Sequence, residues 1–423
     1  MEKISMKHMP NVEDAIKCIN GEEEVFAVYE NLAQKSYSVI VWGVKNIVKG
    51  SHEDVLDELR TSLKKVKIRN HMYPLDIGLI GYVGYDAVRL WEKIPDLRPY
   101  PEEWDYVEFF EPMNIAIYDY SKGSIYIDGD PHRLEKCRDR YSRGNVRVEF
   151  YDSSLDGKRF EESVEEVLKY IKNGYVFQVV LSRFQRYTYR GDVVDLYLNL
   201  REINPSPYTY FIKFGKRIVL GASPELLYSY RRGIVETYPI AGTRPRGRNV
   251  DEDKVFEEEL LKSEKDRAEH LMLVDLARND LGKVCVSGTV KVEKLMYIEK
   301  YSHVQHMVSK VVGIVKKRYD AIDLMKALLP AGTVSGAPKP FAMKLIEELE
   351  EYKRGPYAGA VGFFTSSGEA VMAIAIRSAF IYKDLVRIQA GAGIVYDSKP
   401  RMEYEETEHK LAALKVALGV IER

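Results

Sequence analysis

The chain has 423 residues, and 63 Lys and Arg residues against 64 Asp and Glu residues give it a formal net charge of −1. This length predicts two or three domains or one large α/β or α+β unit. A hydrophobic content of 45% and an aromatic content of 11% exclude a disordered chain. The balanced charge excludes an overall field that would attract nucleic acid or an anionic membrane.

Targeting signals and cysteine spacing bear on the compartment. No apolar run approaches the roughly 18 to 20 residues of a membrane span, and the N-terminus lacks a hydrophobic signal core, so we expect a cytoplasmic protein. Cys18, Cys137 and Cys285 are odd in number and far apart in sequence. This pattern fits neither a disulfide framework nor a zinc site, so we expect structural thiols.

The N-terminal part combines short apolar strands with glycine-punctuated stretches. Residues 37–42 and 114–118 have the composition of strands, and we interpret residues 1–130 as an N-terminal α/β region. Residues 131–157 are polar, rich in Arg and interrupted by glycine. This composition predicts a connecting segment.

A second region at residues 158–423 begins with an amphipathic helix that ends near Gly174. Its apolar positions recur at helical spacing and are Phe160, Val164, Val167, Leu168 and Ile171. Strand-like stretches follow at residues 176–189, 209–214, 217–221 and 370–395, with a short helix from Asp192. Long strands and blocks of helices favour an α+β fold over strict βαβ alternation.

The C-terminal segment is a predicted helix with carboxylates in an unusual place. Its buried stripe consists of Leu411, Leu414 and Leu418. At 100° per residue, Glu403, Glu406 and Lys410 continue or flank that stripe rather than occupy the opposite face.

A second predicted helix repeats the arrangement, because Asp266 and Glu269 share a row with Leu273 and Leu276. Residues 271–277 are apolar almost all round, which predicts a buried helix. Inward carboxylates on two helices need compensation. A hard cation such as Mg²⁺, which takes oxygen ligands, would supply it.

Spacing alone leaves an alternative open. Glu406 and Lys410 can form an ordinary i,i+4 pair worth roughly 0.2 to 0.5 kcal/mol, with Asp266 near the surface.

Four polar segments carry glycines beside hydroxyl and cationic residues, and we interpret them as loops. They are residues 239–247, 330–340, 354–362 and 390–395. Such loops can offer N–H groups to anions, although a simple turn would also require the glycines. Arg377 lies in an apolar, strand-like stretch, where its guanidinium must pair with a ligand carboxylate or with an internal acid.

These segments together resemble component I of anthranilate synthase in the chorismate-utilising enzyme family. The matching motifs are GYVGYDAVR at 81–89, FQVVLSR at 177–183, NPSPY at 204–208, GASPELL at 221–227, PIAGTRPRG at 239–247, AEHLMLVDLARNDLGKV at 268–284, KYSHVQHMVS at 300–309, AGTVSGAPKP at 331–340, GPYAGAVG at 355–362 and AGAGIVYDS at 390–398. The resemblance implies a large two-subdomain sandwich of packed antiparallel β-sheets with flanking helices. It also implies an active site in the cleft between the sheets, which binds chorismate and magnesium.

The resemblance implies roles for individual residues. The implied catalytic residues are Glu225, as the acid that protonates the departing C4 hydroxyl, and His306, Thr333 and Gln178. The implied substrate-binding residues are Thr243, Tyr357, Arg377, Gly391, Gly393 and Lys410. The implied magnesium ligands are Glu269 and Glu406, with Asp266 and Glu403 holding waters of the ion.

The implied reaction adds ammonia to C2 of chorismate, loses the C4 hydroxyl and eliminates pyruvate to give anthranilate in tryptophan biosynthesis. Relatives that use water carry a lysine base where this chain has Gln178, and aminodeoxychorismate synthases often carry a nucleophilic lysine where it has Ala241. Those syntheses, including isochorismate or salicylate formation, remain alternatives, as does a non-catalytic subunit that senses an aromatic amino acid. No glutaminase motif is visible, so the resemblance implies a separate glutamine amidotransferase subunit as ammonia source.

The family's tryptophan-binding segments are altered in this chain. The implied positions are Glu30, Asn31, Ser38, Pro207, Tyr208 and Thr209. Asn31 replaces a serine and Thr209 replaces a methionine of the family pattern, which would change an indole pocket. Feedback inhibition by tryptophan is therefore left open.

Overall fold

A computed structural model describes residues 2–34, 36–68, 76–138, 142–144, 146–301 and 304–422. The α-helices are α1 Val12–Glu22, α2 Val55–Lys65, α3 Pro131–Glu135, α4 Gly157–Lys172, α5 Val193–Ile203, α6 Val250–Lys262, α7 Glu264–Val284, α8 Ala321–Leu328, α9 Lys339–Leu349 and α10 Pro400–Leu418.

The strands are β1 Glu2–Ser5, β2 Val25–Asn31, β3 Tyr37–Gly50, β4 Leu79–Val83, β5 Val107–Asp119, β6 Ser124–Asp128, β7 Arg147–Ser153, β8 Gln178–Arg190, β9 Tyr208–Phe214, β10 Arg217–Ser223, β11 Leu226–Arg231, β12 Ile234–Thr237, β13 Ile240–Pro245, β14 Lys291–Lys300, β15 Val304–Ile314, β16 Gly336–Ala337, β17 Ala360–Phe364, β18 Ala370–Ile374, β19 Ser378–Tyr382 and β20 Leu385–Ile394.

The strands form two antiparallel sheets that meet at β5. The first runs in the order β1, β6, β5, β3, β2, β9, β10, β19, β20, β8, β7. The second runs in the order β5, β4, β17, β18, β11, β12, β15, β14, and β13 pairs with another part of β15. In the first sheet β2 therefore lies beside β9 from the middle of the chain, and in the second sheet β4 lies beside β17 from its last third.

Three apolar cores hold these layers together. The largest lies between the sheets and includes Tyr29, Ile212, Val361 and Met372. A second core fills the outer face of the first sheet beneath α1, α5 and α10, and a third lies between β8, β20, α4 and α9. Helices thus flank a sandwich of sheets, and the α+β prediction is confirmed.

Several predicted elements match the structure. Helix α4 buries the five predicted apolar residues, and Gly174 follows it with a left-handed φ of 77°. Asp192 caps α5 by accepting a hydrogen bond from the Val194 N–H at 2.9 Å. Strands β8, β9, β10, β18, β19 and β20 cover the predicted strand-like stretches.

Three expectations are wrong. Helix α7 is not buried all round, because Leu271 is 43% exposed while Leu273 on another face is buried. Residues 240–245 form a strand rather than a loop, with Gly242 at a bulge, and residues 390–394, whose composition predicted a strand but whose glycines suggested a loop, belong to strand β20. Cys18 and Cys137 form a disulfide across 119 residues, leaving Cys285 as a buried thiol. Their distance in sequence concealed a pairing that the fold creates between α1 and the segment after α3.

Among the described helices, we find none with the length and apolar character that crossing a membrane would require.

Candidate active site

A cleft of about 820 Å³ opens between the two sheets. The second sheet contributes β13 and β15, the first contributes β8 and β20, and α7 and α10 close one side. The family-implied residues that line it are Gln178, Glu225, Thr243, Asp266, Glu269, His306, Thr333, Tyr357, Arg377, Gly391, Gly393, Glu403, Glu406 and Lys410. The fold thus assembles residues from widely separated segments around one cavity.

Glu225 lies in the tight connection between β10 and β11 and is buried. The Thr333 hydroxyl donates a hydrogen bond to its Oε1 at 2.8 Å. Burial raises the pKa of Glu225 to about 7, although the Thr333 hydrogen bond and the Lys410 charge act in the opposite direction. A carboxyl group with this pKa is about half protonated at neutral pH, and its protonated form can serve as a general acid.

His306 lies opposite Thr243 in the pairing of β15 with β13. The Thr243 hydroxyl and His306 Nδ1 are 2.9 Å apart, within hydrogen-bond distance. Burial and the nearby Arg377 charge lower the pKa of His306 to about 4. The imidazole is therefore neutral at pH 7 and can accept or donate a hydrogen bond without carrying a charge.

Arg377 lies between β18 and β19 rather than inside a strand, which corrects the sequence interpretation. Its φ of 52° is left-handed, a conformation that costs energy for a residue with a Cβ atom and recurs at functional sites. Burial lowers the pKa of its guanidinium, and the nearby Tyr357 and Glu406 oppose that shift. Among the described residues no acid forms an ion pair with it, so the cation is available to a ligand carboxylate.

Gly391 and Gly393 allow side chains to approach the backbone of β20. A Cβ atom at Gly391 would lie 3.1 Å from the Tyr357 hydroxyl, and one at Gly393 would lie 2.7 Å from Gln178 Nε2. Lys410 donates to the Gly391 carbonyl at 2.8 Å. This face of the cleft therefore combines the Tyr357 hydroxyl, the Lys410 ammonium and a backbone that is not covered by side chains at Gly391 and Gly393.

The four carboxylates of α7 and α10 line the same cleft but differ in environment. Glu406 is exposed to it and pairs with Lys410 at 2.6 Å, so the ordinary i,i+4 pair is present. Asp266 pairs with Arg244 at 2.9 Å, and Glu403 is buried. The acids therefore line an open cleft rather than the apolar interior that helical spacing indicated.

Glu269 occupies the centre of this acidic wall. Gln178 Nε2 donates to its Oε1 at 3.1 Å. Burial raises the pKa of Glu269, and the Glu406 and Asp266 charges raise it further. Burial likewise raises the pKa of Glu403, with a contribution from Glu406. These carboxylates repel one another in their ionised forms.

This donor set fits a hard divalent cation. Carboxylate oxygens that repel one another are stabilised by Mg²⁺, which commonly takes one or two protein carboxylates and retains several waters. No group of three His, Cys, Asp or Glu side chains converges as a ready metal cage in the part of the chain that the structure describes. The fit therefore rests on the chemistry of the four carboxylates and not on an assembled cage.

Arg244 is a site residue that the sequence interpretation missed. Its ion pair with Asp266 lies beside Thr243, and the side chain lines the cleft. The cationic residues of the PIAGTRPRG segment were a sequence signal for Arg244. Its ion pair with Asp266 on α7 could not be predicted, because it depends on tertiary structure.

Five of the six residues implied for tryptophan binding lie on three neighbouring strands, and Pro207 directly precedes the third. Glu30 pairs in register with Ser38 on β3 and with Thr209 on β9, and Asn31, Pro207 and Tyr208 adjoin them. Glu30 is fully buried and accepts hydrogen bonds from Ser38, Tyr197 and Arg201. A separate cavity of about 760 Å³ lies beside this cluster and includes Arg201 and Tyr120 in its wall.

Comparisons with known proteins place this site in a family. Residues 22–416 match the model of the chorismate binding enzymes. The chain is 56% identical over 411 residues to anthranilate synthase component 1 of Saccharolobus solfataricus, covering 96% of this chain and 97% of that protein.

Two solved structures have a similar architecture. Anthranilate synthase component I from Streptococcus pneumoniae superposes with a TM-score of 0.79 at 35% identity, covering 90% of this chain and 92% of the other. The menaquinone-specific isochorismate synthase from Escherichia coli has a TM-score of 0.78 at 20% identity over 99% and 94% of the two chains, which supports the fold alone. The full-length matches and the assembled cleft agree: the chain belongs to the chorismate binding enzyme family.

Proposed function

We propose that this chain is the catalytic component of an anthranilate synthase, which converts chorismate and ammonia to anthranilate and pyruvate in tryptophan biosynthesis. The observation that carries the proposal is the 56% identity to a protein named anthranilate synthase component 1 across nearly the whole of both chains. The cleft supplies a group suited to each chemical demand of that reaction.

The first demand is loss of a hydroxyl group. Hydroxide is a poor leaving group, and the Glu225 carboxyl, whose pKa is about 7, can donate its proton so that the C4 oxygen of chorismate departs as water. Ammonia supplies the new C2–N bond. The adduct then loses the proton on C2 and its enolpyruvyl group, which together leave as pyruvate, and the ring becomes aromatic.

Gln178 suits an ammonia nucleophile better than water. Its Nε2 is committed to Glu269, whereas its buried Oε1 has no hydrogen-bond partner among the described residues. That oxygen can accept an N–H from ammonia. An amide cannot remove a proton from water at neutral pH, which disfavours isochorismate synthesis, and Ala241 provides no amine nucleophile.

To bind chorismate, the cleft must offset the negative charges of its two carboxylates. Arg377, Tyr357 and Lys410 offer cations and a hydroxyl to them. Glu269 and Glu406 would hold Mg²⁺, and Asp266 and Glu403 would orient its waters. The bound ion would neutralise a substrate carboxylate and favour one orientation of the ring.

We further infer that ammonia comes from a glutamine amidotransferase subunit. The name "component 1" carried by the relatives supports an assembly with a second component. The isolated chain should therefore use ammonium salts and leave glutamine intact. Glutamine hydrolysis by the isolated chain would contradict this division of labour.

The test is to incubate the purified chain with chorismate, MgCl₂ and ammonium chloride, and to follow anthranilate by fluorescence and pyruvate by mass. Equimolar products that EDTA and Glu225→Gln abolish would support the proposal. Glu108→Gln is the matched control, because Glu108 is also buried but pairs with Arg217 away from the cleft. Isochorismate or aminodeoxychorismate as product, or no turnover, would overturn it.

A further inference from the structure

A buried guanidinium lies behind the wall of the cleft, outside the groups used above. Arg354 is 1% exposed and joins α9 to the segment that carries Tyr357. It pairs with Glu350 through two hydrogen bonds, of 3.0 Å from Nε and 2.6 Å from Nη2. Burying two charges costs about as much as their attraction returns, and apolar replacements are often equally stable. Stability alone is therefore a weak reason for this pair.

The remaining N–H groups of Arg354 donate hydrogen bonds to backbone carbonyls of two segments that line the cleft. Nη1 donates to the Val334 carbonyl at 2.6 Å, and Nη2 donates to the Val180 carbonyl at 2.7 Å. Val334 directly follows Thr333, the hydrogen-bond donor to Glu225. Val180 lies two positions after Gln178 on β8, so both side chains lie on the same face of the strand and line the cleft.

A third contact involves the aromatic side of the cleft. The Arg354 guanidinium lies 5.7 Å from the centre of the Tyr357 ring and 4.7 Å from that of Tyr85. The Tyr357 N–H donates to the Arg354 carbonyl at 3.3 Å. Arg354 thus contacts the segments that carry three cleft residues: Thr333, Gln178 and Tyr357.

Glu350 fixes the orientation of this guanidinium from behind. Its Oε1 accepts hydrogen bonds from the Ser182 N–H at 2.7 Å and from the Ser182 hydroxyl at 2.9 Å. The carboxylate is therefore anchored to β8 while it binds Arg354. The pair forms a rigid bracket rather than an isolated ion pair.

We propose that Arg354 is a positioning residue for the chemical step, which holds Thr333, Gln178 and Tyr357 in register across the cleft. The proposal rests on the proposed function, because it concerns how the acid and the nucleophile's partner are aligned. The planar fork of Arg354 makes four hydrogen bonds, two to the Glu350 carboxylate and one to each carbonyl, whereas a lysine ammonium has three donors on a single atom.

The decisive variant is Arg354→Lys, which keeps the charge and loses the fork. We expect kcat to fall roughly 10- to 100-fold through misalignment, whereas KM for chorismate stays within about threefold. Arg186→Lys is the matched control, because Arg186 is a buried arginine whose described partners, Asp152, Glu102 and the Pro101 carbonyl, lie outside the cleft. We expect the control to keep the kcat of the unmodified chain.

A second measurement does not depend on turnover. Hydrogen exchange followed by mass spectrometry should show faster exchange in residues 331–337 and 178–182 of Arg354→Lys, with no such change in Arg186→Lys. Equal losses of kcat in both variants, a raised KM at unchanged kcat, or unchanged exchange in these segments would overturn the proposal. Absence of turnover in the unmodified chain would count against the proposed function, and exchange alone would then decide the role of Arg354.

Discussion

At the scale of single residues, Glu225 shows how burial creates reactivity at a cost in stability. The native carboxyl has a pKa of about 7, whereas an ordinary glutamate has a value of 4.5. Between these pH values the native state holds a proton that the unfolded chain releases. Stability therefore falls as the pH rises through this window.

The variant Glu225→Gln should consequently be more stable than the unmodified chain at pH 8. Each pKa unit corresponds to about 1.4 kcal/mol, so the difference should approach about 3 kcal/mol. Urea unfolding at a series of pH values measures it. The gap should close below pH 4, where glutamate is protonated in both states, and a gap independent of pH would contradict the assignment.

The same carboxyl predicts the pH dependence of catalysis. The value of kcat/KM for chorismate, measured at constant free ammonia, should fall above about pH 7 as Glu225 loses its proton, because kcat/KM reports ionisations of the free enzyme. The concentration of free ammonia must be held constant, because the change in ammonia protonation with pH would otherwise mask the fall in kcat/KM. A flat profile from pH 6.5 to 9 would exclude Glu225 as the acid.

Gly393 provides a geometric test of Gln178. In Gly393→Ala the new Cβ atom would lie 2.7 Å from Gln178 Nε2 and would displace the amide from Glu269. A hydrogen bond to a charged group contributes about 1.5 to 3 kcal/mol, so we expect a loss of roughly 10- to 100-fold in kcat/KM for ammonia. Gly282→Ala is the control, since nothing lies within 4 Å of its added Cβ atom. Equal activity of both variants would argue against a role for this contact.

Residues of the cleft differed in how far the sequence could predict them. Helical periodicity drew attention to Glu269 and Glu406 because their neighbours repeat every three or four positions. Glu225 and Gln178 have no such periodic signal, and only the family resemblance pointed to them. The partners of Arg244 and Arg354 could not be predicted, because they come from elements remote in sequence.

At the scale of elements, β2 carries a buried charge that depends on α5. Glu30 is fully buried, and Arg201 Nε lies 2.9 Å from its Oε2. Removing one partner of such a pair leaves an uncompensated charge, which commonly costs 3 kcal/mol or more.

The variant Arg201→Met should therefore lower the free energy of unfolding by about 3 kcal/mol, as measured by urea titration. Adding Glu30→Gln to it should recover most of the loss, since the neutral amide no longer requires a counter-charge. If the double variant is as unstable as the single one, lost packing rather than charge explains the effect.

Elements with a strong period were predictable, and irregular ones were not. Helix α4 was predicted because its apolar residues align on one face. The glycines of residues 240–245 and 390–394 predict loops, because glycine usually weakens strands, whereas here it admits a bulge at Gly242 and the approach of Gln178 to β20. The break at Arg377 likewise depends on how β18 and β19 join different sheets.

At the scale of the whole molecule, the disulfide between Cys18 and Cys137 closes a long loop. In the chain-entropy description, a bridge across 119 residues stabilises the native state by on the order of 4 to 5 kcal/mol. The sandwich of sheets was implied by family resemblance, but this bridge was not, because sequence distance hides spatial proximity.

Reduction should therefore lower the urea midpoint of the unmodified chain. The double variant Cys18→Ser and Cys137→Ser should unfold at the lower midpoint with or without reductant, and Cys285→Ala should retain the response. An unmodified chain with the same midpoint in both conditions would show that the bridge adds no stability.

The interleaving of early and late strands constrains how the protein is made. Strand β4 pairs with β17, which lies in the last third of the chain. The Asp86 carboxylate accepts a hydrogen bond from the Gly355 N–H, which is 269 residues away in sequence. A ribosome that has synthesised the first third has therefore produced apolar strands whose partners do not yet exist. Exposed strand edges of this kind promote aggregation. Nascent chains of this protein should therefore depend on chaperones until translation is nearly complete. C-terminally truncated chains should be degraded rather than fold.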